Sequence, residues 1–261
     1  MKQKKYFIDG CFGNKKIFID LRVNKKSDWL VIFLHGAYGS VYKDKETKYQ
    51  FLAKKLVKDC SIGFYQTSRF FEWKEKPELS FEAFKRQGFK GKTFKQELKD
   101  VKKSFWEIVS QVKKEIGNKK IKICLVGFSM GGIMSILLTE KVKDINKIMT
   151  LGTGMSFRIS KNRKKEWSLV RTMLNRLELK RKLGNYFGNL TVILGEKDKL
   201  VDIKEGKSFF ASAKKAQIRN LIIVKGADHR FNMINNKEAK EELNNYILDM
   251  IRFNCKNNIK P

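Results

Sequence analysis

The chain has 261 residues, 42% of them hydrophobic and 12% aromatic, which is enough apolar material for a substantial core and excludes an intrinsically disordered chain. Its formal net charge is +30, yet Lys outnumbers Arg 46 to 11 and Asn numbers 17, a bias spread over the whole surface and unlike an arginine-rich nucleic-acid face. No segment approaches the run of about 18 apolar residues that a membrane span needs, and no apolar stretch follows the charged start as in a secretory signal. A cytoplasmic protein with no specific nucleic-acid partner and no membrane span is the expectation.

In chain order, residues 4–8 and 17–23 are β-prone and flank Gly10, Gly13 and Asn14, which predicts an opening antiparallel pair. Residues 29–34 form a wholly apolar run that stops at His35-Gly36, the pattern of a central buried strand. Residues 44–58 carry Tyr49, Leu52, Ala53, Leu56 and Val57 at helical spacing, and 61–65 read as the next strand. A connection over residues 66–92 holds Phe70, Phe71, Trp73, Phe81, Phe84 and Phe89. Thr93-Phe94-Lys95-Gln96 has the form of a capping box. The helix behind it aligns Leu98, Val101, Phe105, Ile108, Val109, Val112 and Ile116 and should stop at Gly117-Asn118.

Strands follow at 121–126 and 145–151 around a helix at 133–142. Residues 155–189 interrupt the alternation with ten basic and two acidic residues, and are read as a small basic helical cap inserted in a single domain spanning 1–261. The rhythm resumes with a strand at 190–194, a helix at 205–213, a strand at 221–224 and a final helix at 237–253. Strands alternating with helices give an α/β class with a mainly parallel sheet covered on both faces.

Gly127-Phe128-Ser129-Met130-Gly131-Gly132 follows the 121–126 strand and opens a helix, the setting a nucleophile elbow requires. A serine hydroxyl attacks poorly unless a base takes its proton. Of the two histidines, only His229 lies downstream, in Gly226-Ala227-Asp228-His229 after a strand. Asp198, in Gly195-Glu196-Lys197-Asp198 after another strand, is the candidate to orient it, with Asp202 and Glu196 as rivals. The backbone N–H groups of Ala37, in His35-Gly36-Ala37-Tyr38-Gly39, and of Met130 are candidate oxyanion donors. His35 itself reads as part of the turn and not as a second base. Tyr38, Phe70, Trp73 and Trp167 are candidate substrate-pocket walls. Cys11, Cys60, Cys124 and Cys255 are widely spaced, which suits free thiols, and two histidines are too few to suggest a metal site.

These motifs, in this order and each at a strand end, resemble the α/β-hydrolase superfamily, serine esterase and acyl-hydrolase branch, from about Trp29 to Phe231. The resemblance implies an α/β-hydrolase fold with a mostly parallel eight-stranded sheet, a Ser129–Asp198–His229 triad, Ala37 and Met130 as oxyanion donors, and no cofactor. The reaction it implies is cleavage of a small-molecule carboxylic ester through an acyl-enzyme. A thioesterase or small-peptide hydrolase with the same triad, and a non-catalytic basic binding protein, are the alternatives. The chain departs from the pattern where many relatives carry Asp-x-x-Gly: here the segment is Gln66-Thr67-Ser68-Arg69.

Overall fold

The computed structural model describes residues 2–12, 15–37, 48–70, 89–117, 120–142, 144–159, 168–231 and 244–252. Eight strands make one sheet: β1 (Lys2–Asp9), β2 (Lys16–Val23), β3 (Trp29–Leu34), β4 (Ser61–Gln66), β5 (Lys122–Phe128), β6 (Ile145–Leu151), β7 (Asn189–Gly195) and β8 (Arg219–Val224). Their order is β1-β2-β4-β3-β5-β6-β7-β8. The β1–β2 and β2–β4 pairs are antiparallel and the remaining pairs are parallel. The α/β class and the mostly parallel sheet expected from the sequence are what the chain adopts.

Strands covered on both faces read as continuous apolar runs, because successive side chains enter different cores. In β3, Leu30, Ile32 and Leu34 join one core while Trp29, Val31 and Phe33 join the other. The first core is closed by the helices Phe94–Ile116, Met130–Leu138, Arg176–Gly184 and Ile203–Ser212, which contribute Phe105, Ile133, Leu183 and Phe209 among others. The second is closed by the helix Lys48–Leu56 and by the helix over residues 244–252, through Leu52, Leu56, Ile247 and Ile251. Each such side chain, fully buried, contributes roughly 1.5–3 kcal/mol.

The helix Phe94–Ile116 starts with the capping box read from the sequence: Thr93 accepts from the Gln96 N–H, and the Gln96 side chain accepts from the Thr93 N–H. It ends at Gly117 in the left-handed conformation, φ 77°. The helix expected at 133–142 instead spans Met130–Leu138. It begins earlier because Ser129 is its N-cap, so that strand, turn and helix follow without a spacer.

Within residues 155–189, the helix Arg176–Gly184 packs on the Met130–Leu138 and Ile203–Ser212 helices, burying Leu179 and Leu183, and so forms the crossover from β6 to β7. Met155 and Arg158 donate backbone N–H groups to the carbonyls of Glu205 (3.2 Å) and Leu200 (2.7 Å). Ser168 accepts from the Gly91 N–H at 2.9 Å, and Thr172 from the Phe94 N–H at 2.8 Å. Residues 160–167 lie outside the described residues. Among the described residues no helix is long and apolar enough to cross a membrane. Among the described residues Cys11, Cys60 and Cys124 form no disulfide with one another, and Cys255 is outside the described residues.

Candidate active site

Strand β5 ends at Phe128 and the next helix begins at Met130, leaving Ser129 alone to reverse the chain. Its backbone sits at φ 54°, ψ −118°, a conformation that costs an L residue on the order of 1–3 kcal/mol. Three hydrogen bonds hold it there. The Ser129 N–H donates to Leu151 O at 2.8 Å, and Ser129 O accepts from the Gly132 N–H at 3.0 Å and the Thr153 hydroxyl at 2.9 Å. The flanking glycines are required by space. A Cβ on Gly127 would fall 2.5 Å from Gly131 O, and one on Gly131 would fall 2.2 Å from Leu34 O.

His229 follows β8 and reaches across the sheet's carboxyl end. Its Nε2 lies 3.0 Å from Ser129 Oγ and its Nδ1 lies 2.8 Å from Asp198 Oδ2. Asp198 comes directly after β7, and its second oxygen accepts the N–H groups of Leu200 and Val201, both at 2.8 Å. Two backbone donors thus fix the carboxylate, whose side chain is 1% exposed against 17% for the imidazole. A carboxylate on Nδ1 keeps the proton on that nitrogen and leaves the Nε2 lone pair facing the serine hydroxyl. The rivals are engaged elsewhere. Asp202 caps the helix Ile203–Ser212 through the Lys204 N–H and pairs with Arg158, and Glu196 accepts the Gly226 N–H at 2.9 Å. The Lys204 N–H, then Arg158, hold the Asp202 carboxyl below its ordinary range.

A Cβ on Gly36 would lie 3.2 Å from Ser129 Cβ, so the peptide leading into Ala37 runs against the serine. Met130 is the first residue of its helix, where an N–H has no helical acceptor. His35 is buried behind this turn. Its Nε2 accepts the Thr67 N–H at 3.4 Å, which leaves the proton on Nδ1 to donate to Gly36 O at 2.8 Å. Burial is the main force pushing its pKa down, so the ring is neutral. Phe70 ends a short 3-10 turn, Ser68–Phe70, directly after β4. Tyr38, Trp73 and Trp167 lie outside the described residues.

Sequence reasoning missed a buried polar cluster beside the turn. The Arg69 guanidinium donates from Nε to Glu97 Oε2 at 3.1 Å and from Nη2 to Glu97 Oε1 at 2.9 Å. The same Nη2 donates to Ala37 O at 3.1 Å. Both side chains are 1% exposed, and the guanidinium lies 4.9 Å from the Phe89 ring centre. Thr67 Oγ1 donates to Glu97 Oε1 at 3.0 Å. Ser68 gives its N–H (2.8 Å) and hydroxyl (2.6 Å) to Asp100 Oδ2, and the Cys11 N–H binds Asp100 Oδ1 at 2.7 Å. Burial works to raise the Glu97 carboxyl, but contact with Arg69, helped by the Thr67 hydroxyl, brings it below its ordinary value. For Asp100 burial prevails over the Ser68 and Cys11 hydrogen bonds, and its pKa is raised. Thr67, Ser68 and Arg69, in the segment where the sequence departs from the Asp-x-x-Gly pattern, are thus held by the Phe94–Ile116 helix. A signal was present: Glu97 and Asp100 interrupt the apolar stripe of the 94–116 helix.

The family model described as the PGAP1-like alpha/beta domain matches residues 25–193. The chain belongs to this family. The match takes in the His35–Ala37 turn and the Ser129 elbow and ends before Asp198 and His229. No match is found among curated protein sequences. Among solved structures, the chain is similar to the esterase domain of a Rhodothermus marinus protein, with a TM-score of 0.60 and 13% identity over 97% of this chain and 98% of that one. It is similar to an esterase of Pyrococcus furiosus, with a TM-score of 0.63 and 17% identity over 96% and 91% of the two chains. It is also similar to Est1E from Butyrivibrio proteoclasticus, with a TM-score of 0.59 and 14% identity over 95% and 98%. At these identities the likeness is one of fold, and with the family match it makes the chain a member of the α/β-hydrolase superfamily.

Proposed function

We propose that this protein is a serine hydrolase that cleaves a small carboxylic ester through an acyl-enzyme. The observation that carries the reading is the line Ser129 Oγ–His229 Nε2–Asp198, with contacts of 3.0 and 2.8 Å, on an elbow that holds Ser129 at φ 54°. Ser129 Oγ attacks the ester carbonyl as His229 Nε2 takes its proton. The oxyanion that forms faces the N–H groups of Ala37 and Met130. As the C–O bond breaks, the imidazolium returns the proton to the departing alkoxide. Water then attacks the acyl-enzyme with His229 again as base, and the acid and free serine are regenerated. Asp198 stabilises the imidazolium in both halves. The chain works as one domain, with residues 155–189 inserted in it as a small basic cap.

Labelling with a fluorophosphonate probe tests this reading, since the probe phosphonylates an activated serine. Labelling should occur at Ser129 and vanish in Ser129→Ala, and a panel of chromogenic esters of rising acyl length should be turned over. A thioester and an anilide in the same panel separate the neighbouring activities. A non-catalytic basic binding protein would show neither labelling nor turnover.

A further inference from the structure

The buried Arg69–Glu97 pair lies on the far side of the turn that carries Ala37, and nothing in the acyl transfer described above uses it. Two charges taken out of water are costly to keep, and a pair of this kind gains little stability over apolar side chains of similar size. Its position suggests another purpose. Ala37 sits between two rigid peptide planes. The plane before it holds Gly36 C=O and the Ala37 N–H, and His35 Nδ1 fixes that carbonyl at 2.8 Å. The plane after it begins with Ala37 C=O, and Arg69 Nη2 fixes that one at 3.1 Å. With both planes fixed, the direction of the Ala37 N–H is fixed too. Arg69 can serve this way because Glu97, anchored in the first turn of a 23-residue helix, grips Nε and Nη2 together. A forked contact leaves the guanidinium one orientation, which a lysine ammonium does not provide.

We infer that Arg69 and Glu97 are positioning residues that aim the Ala37 N–H at the oxyanion formed on attack by Ser129, an inference that rests on the ester-hydrolase reading. The pair acts on the turn through the Ala37 carbonyl. The departure of Gln66–Arg69 from the superfamily pattern then has a use, since it delivers the guanidinium to the back of the oxyanion turn.

The test is the double variant Arg69→Met/Glu97→Leu, which removes both charges together and leaves neither one orphaned. It should fold, as judged by circular dichroism and a cooperative thermal transition. On an ester that the parent turns over, its kcat should fall on the order of 10–100-fold, short of the ~10²–10³ for deleting an oxyanion donor, with KM within about threefold of the parent. The pH profile should keep its shape, because His229 and Asp198 are untouched. A folded double variant with parental kcat, or one whose loss lies in KM, overturns the inference. If the double variant does not fold, Arg69→Lys takes its place. It keeps the charge but lacks the fork, and the same kcat-only loss is expected, with parental kcat overturning the idea. Failure of the broader reading looks different: the parent itself then shows no turnover and no fluorophosphonate label at Ser129.

Discussion

At the scale of single residues, Ser129, His229 and Asp198 differ in what their loss should remove. On the proposed mechanism Ser129 is the nucleophile and His229 the base that takes its proton. Ser129→Ala and His229→Ala should therefore each lower kcat by on the order of 10⁴-fold or more, and the double variant should lose little further, because the groups act as a unit. Asp198→Asn retains a side chain that the Leu200 and Val201 N–H groups can still hold through its oxygen. It fails in orienting the imidazole, so its loss should be smaller than that of Ser129→Ala. Steady-state rates on one chromogenic ester decide the ranking, and an Asp202→Asn variant weaker than Asp198→Asn would move the acid to position 202.

At the scale of elements, the elbow depends on bare backbone. The contact that a Cβ on Gly131 would make is with a strand carbonyl, at 2.2 Å, and no rotamer relieves it. Gly131→Ala should shift β3 from the helix Met130–Leu138 and lower the thermal midpoint, and it should weaken fluorophosphonate labelling even where the protein remains folded. Midpoint and labelling rate measured together would show both effects, and a parental result in either would contradict the geometry. All eight strands were legible in the sequence, because β3, β5, β6 and β7 are apolar runs whose two faces both need cover. The order of the chemical residues along the chain was legible as well, since each follows a strand. What was not legible is contact between distant segments. Nothing in Gln66–Arg69 announces that Arg69 meets both Glu97 and Ala37, or that Ser68 meets Asp100. Charges on the buried stripe of the 94–116 helix were the only trace. Helical spacing reveals that Arg176–Gly184 buries Leu179 and Leu183, but not that it buries them against the body of the fold.

At the scale of the whole molecule, two fields act on the protein. The first is its charge. With a formal net charge of +30, the surface potential should draw anionic substrates inward. Several cap cations are already matched: Arg158 with Asp202, Arg176 with Glu205, Lys182 with Glu140. The attraction therefore belongs to the molecule as a whole more than to the cap. For two matched esters, one neutral and one bearing a carboxylate, kcat/KM should favour the anionic one at about 20 mM salt and converge by about 300 mM, as screening shortens to below ~8 Å. Parallel salt curves would remove the idea. The second field is pH. His35 holds its folded-state pKa below its ordinary 6.5, mainly through burial. As pH falls from 6.5 toward that lowered value, the unfolded chain binds a proton that the folded chain resists, and stability drops. His35→Asn keeps an N–H donor for Gly36 O without the titration. Its thermal midpoint should decline less between pH 6.5 and 5 than that of the parent, and an equal decline would contradict the assignment.

Ser129 and His229 are separated by 100 residues of sequence. A ribosome adding about 5–20 residues per second needs roughly 5–20 s to pass from one to the other. Throughout that interval the growing chain already contains the His35–Ala37 turn, the elbow and, later, Asp198, but not His229. On the mechanism proposed above, the nascent polypeptide is inert toward esters until the segment after β8 has emerged and crossed the sheet. On that mechanism reactivity arrives with the segment after β8, and a chain released before it carries an unactivated serine.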